Sequence, residues 1–219
     1  MTDQPPPPDD APASNRSHSI AGGGRIALLA LSGSVRSGSR NARLLALAID
    51  AAVAIEADVS VLDLRDLDLP VYDRGLGRSA IPQGVLVIRQ ILCAHDGLLI
   101  CSPGHDGAVS VLLANALDWA SQPTFGTDGL APFRNKIAAI MSVSQDVEDG
   151  ATALRQLRAI LQHMGVIVMP DAPAFADAVF GPHALRDASV VPRVQRHVRS
   201  LIDALYARQH AITPARPRR

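Results

Sequence analysis

Residues 25–41, RIALLALSGSVRSGSRN, decide how the chain is read. The first eight are apolar almost throughout and show none of the alternation of a half-exposed strand. A short continuous apolar run of this kind suits a strand buried on both faces. The following nine hold two glycines, three serines, two arginines and Asn41. A helical pattern then begins, with Leu44, Leu47, Ala48, Ala51 and Ile55 on one face of residues 41–55. Strand, polar turn and helix, in that order, open a βαβ unit.

The alternation continues to the far end. Residues 58–62 read as a second strand and are followed by a loop holding Leu69, Pro70 and Tyr72. Residues 83–95 read as a helix, 97–101 (GLLIC) as an apolar strand, 110–121 as a helix and 136–143 as a strand. Leu154, Leu157, Leu161 and Met164 give residues 150–164 a helical face. Gly165 ends that helix and opens a fifth strand over 166–169, and a last helix spans 189–206. Strands that are apolar throughout and separated by helices belong to a parallel sheet covered on both faces. With right-handed crossovers, the expectation is a flavodoxin-like, doubly wound α/β fold of five parallel strands in the order 2-1-3-4-5.

Composition narrows the function classes. The chain has 219 residues, 47% of them hydrophobic, which suffices for one well-buried domain. Its formal net charge is zero, so no basic excess points to nucleic acid or a membrane surface. Cys93 and Cys101 are too few for a disulfide framework, and each reads as a small buried hydrophobe in a reducing compartment. No apolar run approaches the ~20 residues of a membrane span, and no secretory pattern opens the chain. The expected location is the cytoplasm. Residues 1–24, rich in Pro, Ser, Asp and Gly, read as a disordered leader, 25–206 as the folded domain, and 207–219 as a flexible basic tail.

In such a sheet the ligand lies beyond the C-terminal strand ends, where strand order reverses. In the first loop, Ser34, Arg36, Ser39 and Asn41 gather hydroxyls and a guanidinium at a helix N-terminus, an environment that favours a phosphate dianion. An ordinary polar turn with Ser39 as helix cap is the alternative. The second loop, residues 102–107 (SPGHDG), reads either as a connecting turn with His105 exposed or as backbone donors for the edge of a flat aromatic ligand. Seven histidines show no metal-ligand spacing. Trp119 reads as core or interface, and Asp63, Asp66 and Asp68 as a solvated loop.

These loops carry a resemblance. GSVRSGSRNARLL (33–45) resembles the motif GSxRxxSxNxxL of the NAD(P)H-dependent FMN reductase family, which includes quinone, azo and chromate reductases. Residues 96–121, DGLLICSPGHDGAVSVLLANALDWAS, resemble that family's ADGLLIxTPEYNGSxPGxLKNAIDWxS. LDLPVYD (67–73) and PFRNKIAAIMSVS (132–144) follow the expected order, so the likeness covers roughly residues 25–170. It implies that Ser34, Arg36, Ser39 and Asn41 contact the FMN phosphate. It places Pro103, Gly104, His105, Asp106 and Gly107 along the isoalloxazine ring, and Ser142 and Ser144 in a third flavin loop. Two departures stand out. Gly104, His105 and Asp106 replace the motif's Glu, Tyr and Asn, and the third loop, SVSQDVEDGA (142–151), replaces SxGxxGGxxA and carries three acids.

The function implied is hydride transfer from NADPH or NADH through FMN to a quinone, azo compound, free flavin or similar acceptor, by a ping-pong mechanism. No catalytic side chain is assigned, since the cofactor does the chemistry. His105 is the residue singled out for acceptor contact or proton delivery. A homodimer or homotetramer is implied, with the helix holding Trp119 as one possible contact. The alternative is a non-enzymatic flavin- or phosphate-binding module with a degenerate ring loop. A flavodoxin-type electron carrier fits poorly with a neutral chain that is only 3% aromatic.

Overall fold

The structure, a computed structural model, describes residues 24–34, 36, 38–76, 81–124, 126–181 and 184–212. Nearly all of the expected leader, and residues 213–219 of the expected tail, lie outside them. Six strands form the main sheet: β1 (Ala27–Ser32), β2 (Asp58–Leu62), β3 (Gly97–Cys101), β6 (Ile137–Ser144), β7 (Ile167–Val168) and β8 (Ala174–Ala176). Two others, β4 (Gly104–His105) and β5 (Ala108–Val109), form a separate hairpin. The helices are α1 (Arg40–Val53), α2 (Gln83–Ala94), α3 (Val111–Ala120), α4 (Val147–His163) and α5 (Val190–Ile212).

The sheet runs β2-β1-β3-β6-β7 with every pairing parallel, which is the expected order once the hairpin is set aside. Its fifth position is divided. β7 pairs with the first residues of β6, and β8 with its end through Ser142↔Ala174 and Ser144↔Ala176. Pro170 and Pro173 lie in the gap, and proline donates no ladder hydrogen bond.

Alternate strand residues feed opposite cores, as burial on both faces requires. Leu28 and Ala30 pack with α1 and α5, while Leu29 and Leu31 pack with α2, α3 and α4. α5 does not stop at residue 206, as expected, but continues to Ile212. Leu201, Ile202 and Leu205 anchor it in the core, and Arg208 donates to Asn135 Oδ1 at 2.6 Å, tying its last turns to the loop before β6. No described helix is long and apolar enough to cross a membrane.

One brace joins the two ends of the sequence that the site needs. Asn41, 4% exposed in the first turn of α1, donates from Nδ2 to the Val143 carbonyl (2.7 Å) and accepts from the Val143 N–H (2.9 Å). Its amide is therefore bonded at both ends to the end of β6. Asn41→Ala should destabilise the protein by about 2–4 kcal/mol, because two bonds vanish and both Val143 backbone groups are left buried without partners. Urea unfolding measures this; a loss below ~1 kcal/mol would show that water or a neighbour replaces the amide.

A second buried polar group is satisfied on one side only. His197, on the inward side of α5, is 2% exposed, and its Nε2 lacks a hydrogen bond among the described residues. Burial holds its pKa below the usual histidine value; Asp171 and a backbone hydrogen bond at Ile140 act upward, Arg158 and Arg193 downward. The unfolded chain therefore takes up this proton first. The stability due to neutral His197 is complete above the unfolded pKa of about 6.5 and is lost as pH falls through the folded value. In His197→Leu, Tm should fall less between about pH 7 and about pH 5 than in the parent. Equal slopes in both proteins would assign the acid sensitivity to other groups.

Candidate functional site

The loops after β1, β3 and β6 line one open cavity of about 470 Å3, above the point where strand order reverses between β1 and β3. That volume lies within the range of cofactor and ligand pockets, about 300–1,000 Å3. In the first loop Ser34 Oγ accepts from the Arg36 N–H (3.4 Å), and the Ser39 N–H returns to the Arg36 carbonyl (3.2 Å). Ser39 caps α1, its Oγ accepting from the Ala42 N–H at 3.0 Å. Acting as an acceptor there, the hydroxyl keeps its own proton to donate outward. The N–H groups of Arg40 and Asn41 have no intrahelical partner, so the helix presents donors and its positive dipole end to the cavity. Arg36 is exposed, with no ion-pair partner among the described residues. Hydroxyls, guanidinium and helix N-terminus together suit a phosphate dianion.

Asn41 lines the cavity, and its side chain is at the same time the brace to Val143. The sequence reading also missed Arg40 and Arg43, which line the same cavity. Arg40 pairs with Asp177 at 3.0 Å. Arg43 donates to the Gly181 carbonyl at 2.7 Å and lies 4.9 Å above the Phe180 ring. These contacts tie α1 to the segment after β8, which walls the cavity on that side. Their partners lie more than 130 residues downstream, so no local pattern announces them.

The second loop is a hairpin, not a plain connecting turn. Gly104 faces Val109 and His105 faces Ala108, around Asp106 (φ 50°) and Gly107 (φ 73°). A two-residue turn with both φ values positive favours Asp-Gly or Asn-Gly, so Asp106 holds the Asn position without strain on the turn. The Gly104 N–H donates to Ser144 Oγ (2.8 Å), which lies 3.0 Å from Ser142 Oγ, so the hairpin is fastened to the end of β6. Pro103, Gly104, His105, Asp106 and Ser144 line the cavity; Gly107 and the fully buried Ser142 support it from behind.

The third loop is shorter than expected, because α4 starts at Val147 instead of residue 150. Asp146 caps it, accepting from the Glu148 N–H at 2.9 Å, and Glu148 pairs with Arg155 at 3.1 Å. Two of the three acids thus serve a helix N-terminus, where negative charge is favoured. Asp149 lines the cavity. A Cβ on residue 104 would lie 2.3 Å from the Asp149 carbonyl oxygen, so α4 occupies the room that the motif's Glu would need. The two segments that depart from the motif thus pack directly against each other.

Trp119 belongs to the core: it is 3% exposed, donates to the Pro70 carbonyl (2.8 Å) and meets Tyr72 edge-on at 5.2 Å. Cys101 is buried on β3, and burial pushes its thiol pKa up. Cys93 is exposed, contrary to expectation.

The donor set fits the phosphate of FMN, and the wall formed by Pro103, Gly104, His105 and Val143 offers a face for its ring. Comparison with known proteins identifies the family. Residues 26–179 match the family model described as NADPH-dependent FMN reductase. An NAD(P)H-dependent FMN reductase of Pseudomonas aeruginosa is 32% identical over 142 residues, spanning 64% of this chain and 72% of that protein. A quinone reductase of Escherichia coli is 29% identical over 159 residues, spanning 71% and 79%. Among solved structures, the flavoenzyme NAD(P)H:(acceptor) oxidoreductase FerB of Paracoccus denitrificans superposes with a TM-score of 0.69 over 83% of this chain and 98% of its own, at 24% identity, a likeness of fold. With well over half of its length matched, the chain belongs to the NADPH-dependent FMN reductase family.

Proposed function

We propose that this protein is an FMN-dependent NAD(P)H oxidoreductase that reduces a small-molecule acceptor of the quinone, azo or free-flavin class. One observation carries the reading: the phosphate-type loop of β1 and the hairpin after β3 converge on a single cavity at the topological switch point. When bound, FMN supplies the two-electron chemistry between nicotinamide and acceptor. Ser34, Ser39, Arg36 and the first N–H groups of α1 hold the phosphate. Pro103, Gly104 and His105 lie against the ring, Ser142 and Ser144 fix the hairpin that carries them, and exposed His105 is the group placed to meet the acceptor.

The same reading extends to assembly and location. Val111, the first residue of α3, is 82% exposed, and Val71, in the loop tied to α3 through Asn115, is 85% exposed. These apolar residues beside the hairpin support a homodimer or homotetramer. Two unpaired cysteines support a reducing, cytoplasmic setting.

Two measurements test the site. Arg36→Ala should weaken FMN binding by about 1.5–3 kcal/mol, the scale of a charge-assisted hydrogen bond. Titration of the full chain with FMN, followed by anaerobic NADPH addition, reads both affinity and reduction. Protein that never takes up FMN, or a mutant of unchanged affinity, refutes the assignment.

Asp106→Asn keeps the positive-φ turn and removes one negative charge from the cavity wall. The two-electron potential of bound FMN should rise by on the order of 10–30 mV, since ~30 mV corresponds to about 1.4 kcal/mol and solvent screens the exposed carboxylate. Reduction by NADPH should speed up accordingly. An unchanged or lower potential would leave the aspartate as a turn residue only.

A further inference from the structure

The cavity is divided by charge. Its arginines, Arg36, Arg40 and Arg43, all come from the first loop and α1, the end assigned to the phosphate. Asp106 and Asp149 stand on the hairpin and on α4, the wall assigned to the ring. Close packing of these two elements holds both acids there. A Cβ at Gly104 would meet the Asp149 carbonyl oxygen at 2.3 Å, and one at Gly107 would meet Thr152 Cγ2 at 3.1 Å. Residue 106 is thus bracketed by contacts with the first turns of α4.

Little cancels these two charges once the phosphate end is filled. Neither carboxylate has a hydrogen-bond or ion-pair partner among the described residues. Asp177 is taken by Arg40 at 3.0 Å, and Glu148, beside Asp149, by Arg155 at 3.1 Å. Arg43 is turned to the Gly181 carbonyl and the Phe180 ring. Arg36 stands across the cavity, where a phosphate dianion claims it. Three arginines balance three aspartates in the empty cavity, so a dianion leaves it with an excess of about two negative charges. The N-terminus of α4 offsets only about half a charge.

A cleft walled by one sign of charge concentrates the opposite sign and repels its own. These acids wall a cavity that already has an occupant, so they act on what enters beside it. We propose that Asp106 and Asp149 make the site selective by charge, admitting cationic and uncharged aromatic acceptors and turning away those that carry a sulfonate or carboxylate. The proposal rests on the flavin reading above and narrows its acceptor class. The reaction balance is unchanged: NADPH, one proton and a quinone give NADP+ and the hydroquinone. NADPH passes the same filter because its nicotinamide ring is uncharged and becomes cationic on oxidation.

The test uses two 1,4-naphthoquinones that differ in one side chain, trimethylammonioethyl or sulfonatoethyl, the two-carbon spacer keeping their potentials matched. Rates are taken on the FMN-loaded full chain at about pH 8, so that imidazole charge at His105 does not enter. At about 10 mM salt, kcat/KM should favour the cationic quinone at least about tenfold, and about 0.5 M salt should bring the ratio close to one. Asp106→Asn and Asp149→Asn should each lower that ratio by about two- to threefold. Asn suits the positive φ at 106 and the first turn of a helix, and the ratio cancels any change in flavin potential, which both quinones share. A readout without turnover is calorimetric binding of the redox-inert naphthylmethyl-trimethylammonium ion, which the double variant should weaken at least about threefold. Equal kcat/KM for the two quinones, preference for the anionic one, or a cation preference indifferent to both substitutions overturns the proposal. A chain that takes up no FMN fails the flavin reading; there, weaker binding of the inert cation by the double variant still supports the acidic wall, and unchanged binding overturns it. FMN uptake and quinone reduction without charge preference overturn the charge filter alone.

Discussion

Two hydrogen bonds between the Asn41 amide and the backbone of Val143 hold the start of α1 against the end of β6. The helix N-terminus can face the cavity only if it is fixed there, and its free N–H groups are anion donors of the site. A buried amide satisfied at both ends is a rigid connection, because breaking it strands polar groups in a low-dielectric interior. Arg40 and Arg43 add outer ties from the same helix turn to residues 177–181. The geometry of the phosphate end thus depends on contacts that never touch a ligand.

The ring end is governed by the close approach of α4 to the hairpin. Residue 104 has no room for a side chain against the Asp149 carbonyl, and its N–H is held by the Ser144 hydroxyl. Early initiation of α4 brings Asp149 to the cavity wall, where Asp106 and Asp177 also lie. Arg40 offsets Asp177, and Arg36 and Arg43 stand against the other two. The cavity is therefore nearly balanced in charge, and a phosphate gains mainly from local donors, not from a broad positive field.

Much of this was readable from the chain. The apolar runs at 25–32, 97–101 and 136–143 became central strands of a parallel sheet, since only burial on both faces explains the lack of alternation. The polar turn between residues 33 and 41 did open a helix at a cavity. The hairpin was missed although Asp106-Gly107 is its local signal, because strands of two residues are too short to show a period. The division between β7 and β8 escaped for the same reason. α5 outran its expected end because its last turns are held by Arg208 on Asn135, a contact across 73 residues.

The sequence by itself determined the fold class, the strand order and which loops meet at the site, because hydrophobic periodicity and chain connectivity are local and suffice for those. Tertiary structure alone decided what each polar side chain does there. Asn41 gained a brace to Val143, Asp146 turned from a crowded loop acid to a helix cap, and Trp119 from an open question to a core anchor. A side chain's role is set by which partner lies within hydrogen-bond reach, and for Asn41 that partner is 102 residues away.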